Sequence, residues 1–271
     1  MELTRTSQVE NTTIQLGDIE FIIHAKFDSK KNQVYLVTDT LGADSNKVVL
    51  KIYNEEFKKN AKLELNTINK LNKLNISTPK IIKHSNDWVI LEFIPGRSIL
   101  QIIDSEKREI EPKELIRYLA EWFANLHAKT LEYVPEPQVL LKGDCVLKNF
   151  IYVHDSKQLF GVDFEESTMG KPLIDVGAVC SAILTIKPMF SGSNFKLCRV
   201  FIGSYMSQIS KYITKNSINS TNIIDQLTEC SIAVYTASAL ESAASWMSKD
   251  NSEIALNWSK NIKNKRSLNL L

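Results

Sequence analysis

The N-terminal third alternates between β-rich runs and turn chemistry. Ile14–Phe27 and Gln33–Thr38 are β-rich, and Lys47–Tyr53 (KVVLKIY) reads as a third strand. Leu41-Gly42-Ala43-Asp44-Ser45-Asn46 carries turn residues, so the last two strands are predicted to form a hairpin. Asn54 suits a helix N-cap, with Glu55 and Glu56 in the first turn, and the helix is expected to run to about Asn75. Beyond Pro79, short strands near Lys80–His84 and Trp88–Phe93 flank Ser85-Asn86-Asp87. This makes roughly five strands and one helix before residue 94.

After Ile94-Pro95-Gly96 the period lengthens. Pro112 opens a helix with Leu115, Leu119, Trp122, Phe123 and Leu126 on one wide face. Phe150–Val153 and Leu159–Val162 flank the turn His154–Lys157 as a second hairpin. From Pro172 the pattern is helical, with breaks around Ser191–Asn194 and Lys215–Asn222, a helix from about Asn222 to Met247, and a basic, frayed end over the last ten residues. The fold class is thus α+β: a small antiparallel-sheet lobe over 1–93 and a larger, mainly helical lobe over 94–271, with a cleft between them as the default site.

Composition narrows the partners. The 33 basic and 31 acidic side chains nearly cancel, which gives no electrostatic reason to expect a nucleic-acid partner. No apolar run approaches the ~20 residues of a membrane span, and Met1–Thr13 is polar, so neither a membrane partner nor secretion is expected. Cys145, Cys180, Cys198 and Cys230 show no metal or disulfide spacing, and the default location is the cytoplasm.

Three features break the apolar pattern. Lys51 stands mid-strand, sharing a face with Val49 and Tyr53; alone it reads as an edge lysine with a solvated head. On the next helix, Glu64 falls about 20° from Phe57, inside the apolar stripe. A carboxylate aimed into a core needs a partner, and Lys51 would supply it. The pair is either a buried structural one or part of a phosphate site. Third, Asp144 and Asn149 form a D-x4-N pair in a loop between apolar runs, and Asp163 ends a strand 14 residues later, across a turn. Hard oxygen ligands of this kind suit Mg²⁺ bound with a phosphate partner; loop and strand-end capping is the plainer account.

Together these residues resemble the catalytic set of the aminoglycoside phosphotransferase and choline kinase superfamily, which has a protein-kinase-like fold. VVLKIY at 48–53 is similar to its nucleotide-lysine strand, VILEFIPG at 89–96 to its hinge, and ANLHA at 124–128 to the helix before its catalytic loop. KGDCVLKNFIY at 142–152, GVDFEES at 161–167 and GKPLIDVGAV at 170–179 are similar to its catalytic loop, metal strand and following helix. The resemblance implies a phosphotransferase moving the γ-phosphate of ATP or GTP to a small-molecule hydroxyl. In it Lys51, held by Glu64, binds nucleotide phosphates; Asn149 and Asp163 hold Mg²⁺; and Asp144 is the base. Backbone of Glu92 and Ile94 would meet the base edge, with Val49 against its face, and Asp175 and His127 would be structural.

The chain departs from that pattern twice. Lys142 stands where the loop usually has histidine, and the phosphate-covering segment Lys26–Asn32 has no glycine, leaving Ser29, Lys30 or Asn32 to substitute. The first departure keeps a nucleotide-binding pseudokinase with a regulatory or scaffold role as the alternative. Glu241 centres the wheel of the Asn222–Met247 helix: either it is satisfied by backbone or a lysine, or it receives a cationic acceptor.

Overall fold

The computed structural model describes residues 12–17, 19–39, 46–134, 136–215 and 227–268. The chain divides into two compact units, one of Met1–Pro95 with Val162–Glu166, the other of Gly96–Gly161 with Ser167–Leu271.

The first unit is a curled six-stranded antiparallel sheet with one helix. Its strands are β1 (Thr13–Leu16), β2 (Ile19–Phe27), β3 (Asn32–Asp39), β4 (Val48–Tyr53), β5 (Ile81–His84) and β6 (Trp88–Glu92), in the order β1-β2-β3-β4-β6-β5. The β-rich run Ile14–Phe27 is two strands rather than one. Gly17 takes φ +60, a left-handed turn, and Leu16 then faces Ile19 across the hairpin. β3 and β4 pair antiparallel, and their connecting turn at 40–45 lies outside the described residues. One sheet face packs Leu50 against Phe21, Ile23, Tyr35, Val37 and Ile90. Leu50 is fully buried there, so its truncation to Ala would cost about 2–5 kcal/mol.

The helix starts later than the capping pattern predicted. Asn54 opens a 3₁₀ turn over Glu55–Phe57, and α1 then runs Lys58–Lys73. Asn54 makes no side-chain cap bond; its amide is instead used on the Lys31 carbonyl at 2.5 Å, a tertiary tie that sequence does not display. α1 buries Ala61, Glu64, Thr67, Ile68 and Leu71.

The second unit is mainly helical. It comprises β7 (Arg97–Ser98), α2 (Ile99–Ile103), α3 (Pro112–Lys129), β8 (Glu132–Val134), β9 (Glu136–Leu141), β10 (Phe150–Val153), β11 (Gln158–Gly161), β12 (Thr168–Gly170), α4 (Pro172–Leu184), α5 (Gly192–Lys215), α6 (Glu229–Ala244) and α7 (Lys249–Lys265). The β10–β11 hairpin adds β7 on its other side, while β9 is flanked by β12 and β8. α3 packs on α5, and α6 packs on both α4 and α7. Gly177 lets α4 and α6 meet backbone to backbone, since a Cβ there would lie 2.6 Å from the Tyr235 carbonyl carbon.

α6 begins at Glu229, with Thr228 Oγ1 accepting the Ser231 amide at 3.1 Å. The predicted start near Asn222 falls outside the described residues. The basic C-terminal stretch is regular helix as far as Lys265. No described helix is long and apolar enough to cross a membrane.

Candidate active site

The β4 register determines where Lys51 points. Lys51 lies between Val34 of β3 and Val89 of β6, on the sheet face that receives α1. Its ammonium is 2.8 Å from Glu64 Oε2, 2.9 Å from Asp163 Oδ1 and 3.2 Å from Glu165 Oε2. Burial opposes the charge on Lys51, but Glu64, Asp163 and Glu165 outweigh it and hold the ammonium well above its usual range.

Glu64 is fully buried and fully used. Its Oε2 also accepts the Tyr53 hydroxyl at 2.7 Å, and its Oε1 accepts the Phe164 amide at 3.2 Å. Burial and the Glu64 charge push the Tyr53 hydroxyl far up. Asp163 takes a left-handed φ of 64 at the strand end, a conformation that aspartate tolerates better than most residues. Its side chain stays 37% exposed.

Glu165, to which the sequence reading assigned nothing, is a hub. Besides Lys51 it accepts the Asn32 amide on Oε2 at 2.6 Å and pairs Lys31 through Oε1 at 3.5 Å; Lys31 also binds Glu166. The only sequence signal was its place two residues after Asp163. Ligand oxygens of Glu64, Asp163 and Glu165 lie within 4.8 Å of one another. These are hard oxygen donors of the kind a divalent cation takes, and Asp163 is the most exposed of the three; Glu64 is engaged by Lys51, Tyr53 and Phe164, and Glu165 would have to exchange its contacts with Lys51, Lys31 and Asn32 for the ion.

In the second unit the structure brings Asp144 and Asn149 together. Asn149 Nδ2 donates to Asp144 Oδ2 at 3.0 Å, and the Val146 amide donates to Oδ1 at 3.3 Å. Asp175, in the first turn of α4, holds this loop from below. Its Oδ2 accepts the Lys142 amide at 2.7 Å, and its Oδ1 accepts the Gly143 amide and the Cys145 thiol, each at 3.4 Å. His127 Nε2 lies 3.2 Å from the same Oδ2, and its Nδ1 is 2.8 Å from the Tyr205 hydroxyl. Burial drives the Cys145 thiol well up, and Asp175 adds to it.

Lys142 is fully buried. Its ammonium donates to the Asp144 carbonyl at 3.1 Å and stands 6.0 Å from the centre of the Phe150 ring. The side chain thus folds back over its own loop.

The remaining residues read from sequence are distributed as follows. Val49 shares the face of Lys51 and is half-buried. Glu92 binds Lys80 reciprocally, its backbone amide donating to the Lys80 carbonyl at 2.9 Å and its carboxylate accepting the Lys80 amide at 3.2 Å, and Ile94 is buried. Ser29 Oγ accepts the Asn32 amide at 3.3 Å, closing the turn between β2 and β3. Glu241 is not at the centre of a buried face: α6 buries Ala233, Ala237, Leu240 and Ala244. Its carboxylate stands at the edge, bound to Lys263 at 2.7 and 2.8 Å and to Ser259 at 2.8 Å.

A curled antiparallel sheet with an inward Lys–Glu pair, followed by a mainly helical unit, defines the class: a protein-kinase-like fold. The chain is similar in structure to an ethanolamine kinase of Plasmodium vivax, with TM-score 0.60 and 14% identity over 89% of this chain and 83% of that one. It is similar also to choline kinase from Cryptosporidium parvum Iowa II, with TM-score 0.57 and 16% identity over 93% and 91% of the two chains. In sequence it is 26% identical over 166 residues to the EKC/KEOPS complex subunit BUD32 of Encephalitozoon cuniculi, covering 61% of this chain and 74% of that protein. No family model matches the chain.

Proposed function

We propose that this protein is a phosphotransferase that moves the γ-phosphate of ATP or GTP to a hydroxyl of a small molecule. The observation that carries the reading is the Lys51–Glu64–Asp163 cluster, a buried cation tied to one fully buried carboxylate and one partly exposed carboxylate. In this reading Lys51 binds nucleotide phosphates, and Asp163 and Asn149 hold Mg²⁺, with Glu165 beside them. Bound Mg²⁺ supplies charge neutralisation on the transferring group. Asp144, oriented by Asn149, takes the acceptor's hydroxyl proton as its oxygen bonds to the γ-phosphorus and the bond to the bridging oxygen breaks, releasing the nucleoside diphosphate. Val49 lines the base, the Glu92 carbonyl and Ile94 amide pair with its edge, and Ser29 lies on the phosphate side. The lobes are assigned as 1–93 for nucleotide and 94–271 for catalysis and acceptor, in a cytoplasmic protein.

The acceptor class we favour is an amino alcohol or amino sugar, because the similar structures are named as ethanolamine and choline kinases. Glu241 is a poor candidate for the acceptor's ammonium, since Lys263 already occupies both its oxygens. A pseudokinase is the second reading. Lys142, with its ammonium on the Asp144 carbonyl, is the observation that favours it. Incubation with Mg²⁺-ATP or Mg²⁺-GTP and a panel of choline, aminoglycosides and sugars separates the two. Acceptor-dependent nucleotide consumption supports the kinase; nucleotide binding without turnover on any acceptor supports the pseudokinase.

A further inference from the structure

We propose that Lys31 is a second phosphate-binding cation, stored on Glu165 and Glu166 until nucleotide arrives. The inference rests on the nucleotide-binding reading above and adds a residue to it.

Charge around Lys51 is unbalanced. Lys51 and Lys31 face Glu64, Asp163, Glu165 and Glu166, two cations against four carboxylates joined in one network through Glu165. The two ammoniums partly neutralise a set of oxygens that would otherwise repel one another. A divalent cation held at Asp163 and Glu165 would take over that neutralisation, and the anionic phosphate chain bound with it would need cations of its own.

The two lysines are not equally free to answer. Lys51 is held from behind by Glu64, a buried carboxylate already saturated by Tyr53 and Phe164. Lys31 is held by Glu165, the carboxylate a cation would recruit, and by Glu166, whose side chain is 47% exposed and whose hold water weakens. Its own side chain is 33% exposed, so its ammonium swings without unpacking a core.

Its backbone, by contrast, is fixed. The Lys31 carbonyl accepts Asn54 Nδ2 at 2.5 Å, and the next residue, Asn32, is buried and bonded to Glu165, to Ser29 and to the Asn54 amide. The arm thus pivots on an anchored base beside Lys51 and Asp163. The turn at 28–31 has no glycine to bring backbone amides close to a phosphate, and a long cationic side chain is one means of reaching it from a more distant backbone.

Calorimetric titration of the purified full chain with Mg²⁺-ATP, Mg²⁺-ADP and AMP tests this. Lys31→Met is expected to weaken ATP about tenfold and leave AMP unchanged, with Lys31→Arg retaining most of the ATP affinity. Glu166→Gln, which removes a competitor for the ammonium, is expected to tighten ATP about two- to threefold, a gain that a merely structural latch would not produce. The proposal is overturned if Lys31→Met keeps the wild-type ATP-to-AMP ratio, whether both affinities hold or both fall together. It is overturned equally if Glu166→Gln weakens ATP. A wild-type chain that binds no nucleotide defeats the nucleotide reading itself. Circular dichroism melts of each variant identify any loss due to unfolding, and in that case the Glu166→Gln result decides.

Discussion

The Asp175 carboxylate accepts the backbone amide of Lys142 at 2.7 Å, so the first turn of one helix fixes the corner from which the Asp144 loop departs. The same carboxylate faces Gly143, Cys145 and His127, all within 3.4 Å. Its work is to order backbone. Asp175→Asn replaces an acceptor-only group by one that must place two donors among donors. We expect a loss of about 2–4 kcal/mol in urea denaturation, with turnover falling in parallel and no selective loss of Mg²⁺ affinity. An unchanged melting temperature with metal affinity alone lost would refute this role.

Asp144 and Asp163 are expected to separate by their defects. Asp144→Ala should reduce transfer by at least about 10²-fold with nucleotide affinity nearly intact, as the loss of a general base requires. Asp163→Ala should weaken Mg²⁺-nucleotide binding as well. Titrating nucleotide into each variant beside a turnover assay reads both effects, and wild-type turnover in Asp144→Ala would remove it as the base.

Lys51 sets a pH dependence. Its folded pKa is raised well above the unfolded value by Glu64, Asp163 and Glu165 against the burial that opposes them. A raised cation contributes stability fully present below the unfolded pKa of about 10.4 and lost as pH climbs from there through the folded value. Wild-type stability should therefore fall on the alkaline side more steeply than that of Lys51→Met, which is less stable at neutral pH. Denaturation midpoints between about pH 9 and 12 check this: the curves should run parallel up to about pH 10 and separate above it, and curves that stay parallel throughout would contradict it.

Glu241 and Lys263 form a half-exposed bidentate pair, and the hydrogen bonds from Lys263 and Ser259 hold the Glu241 carboxyl below its usual range. Such pairs contribute about 0–1 kcal/mol. Glu241→Gln is expected to lower stability within that range, to lose its effect as pH drops through the carboxyl's folded pKa, and to leave the KM for a cationic acceptor unchanged. A several-fold rise in that KM would restore an acceptor role.

Cys145 stands next to Asp144 but is buried, with its thiol pushed up by that burial and by Asp175. Iodoacetamide on the native protein near pH 8 should label Cys230, which is partly exposed, and spare Cys145, Cys180 and Cys198. Rapid labelling of Cys145, seen by mass spectrometry, would show a thiolate in the loop.

Local pattern determined the elements. Strand period placed Lys51 and Val49 on one face, and helix period put Glu64 inside the apolar stripe of α1, because both are consequences of backbone geometry over a few residues. Element ends were less legible: Asn54 has the chemistry of a cap but spends its side chain on Lys31, 23 residues back. The same limit applies to Glu241, whose wheel position gave its face but not its partner, a lysine 22 residues on in a separate helix. Only tertiary structure made Glu165 the meeting point of Lys31, Asn32 and Lys51, over separations of up to 134 residues by sequence number. Lys142 folds back onto the Asp144 carbonyl only two residues on, a local contact that periodicity could not report because the loop has no regular period. Periodicity reports which way a side chain faces; which charge it meets there depends on chain segments that only long-range packing brings together.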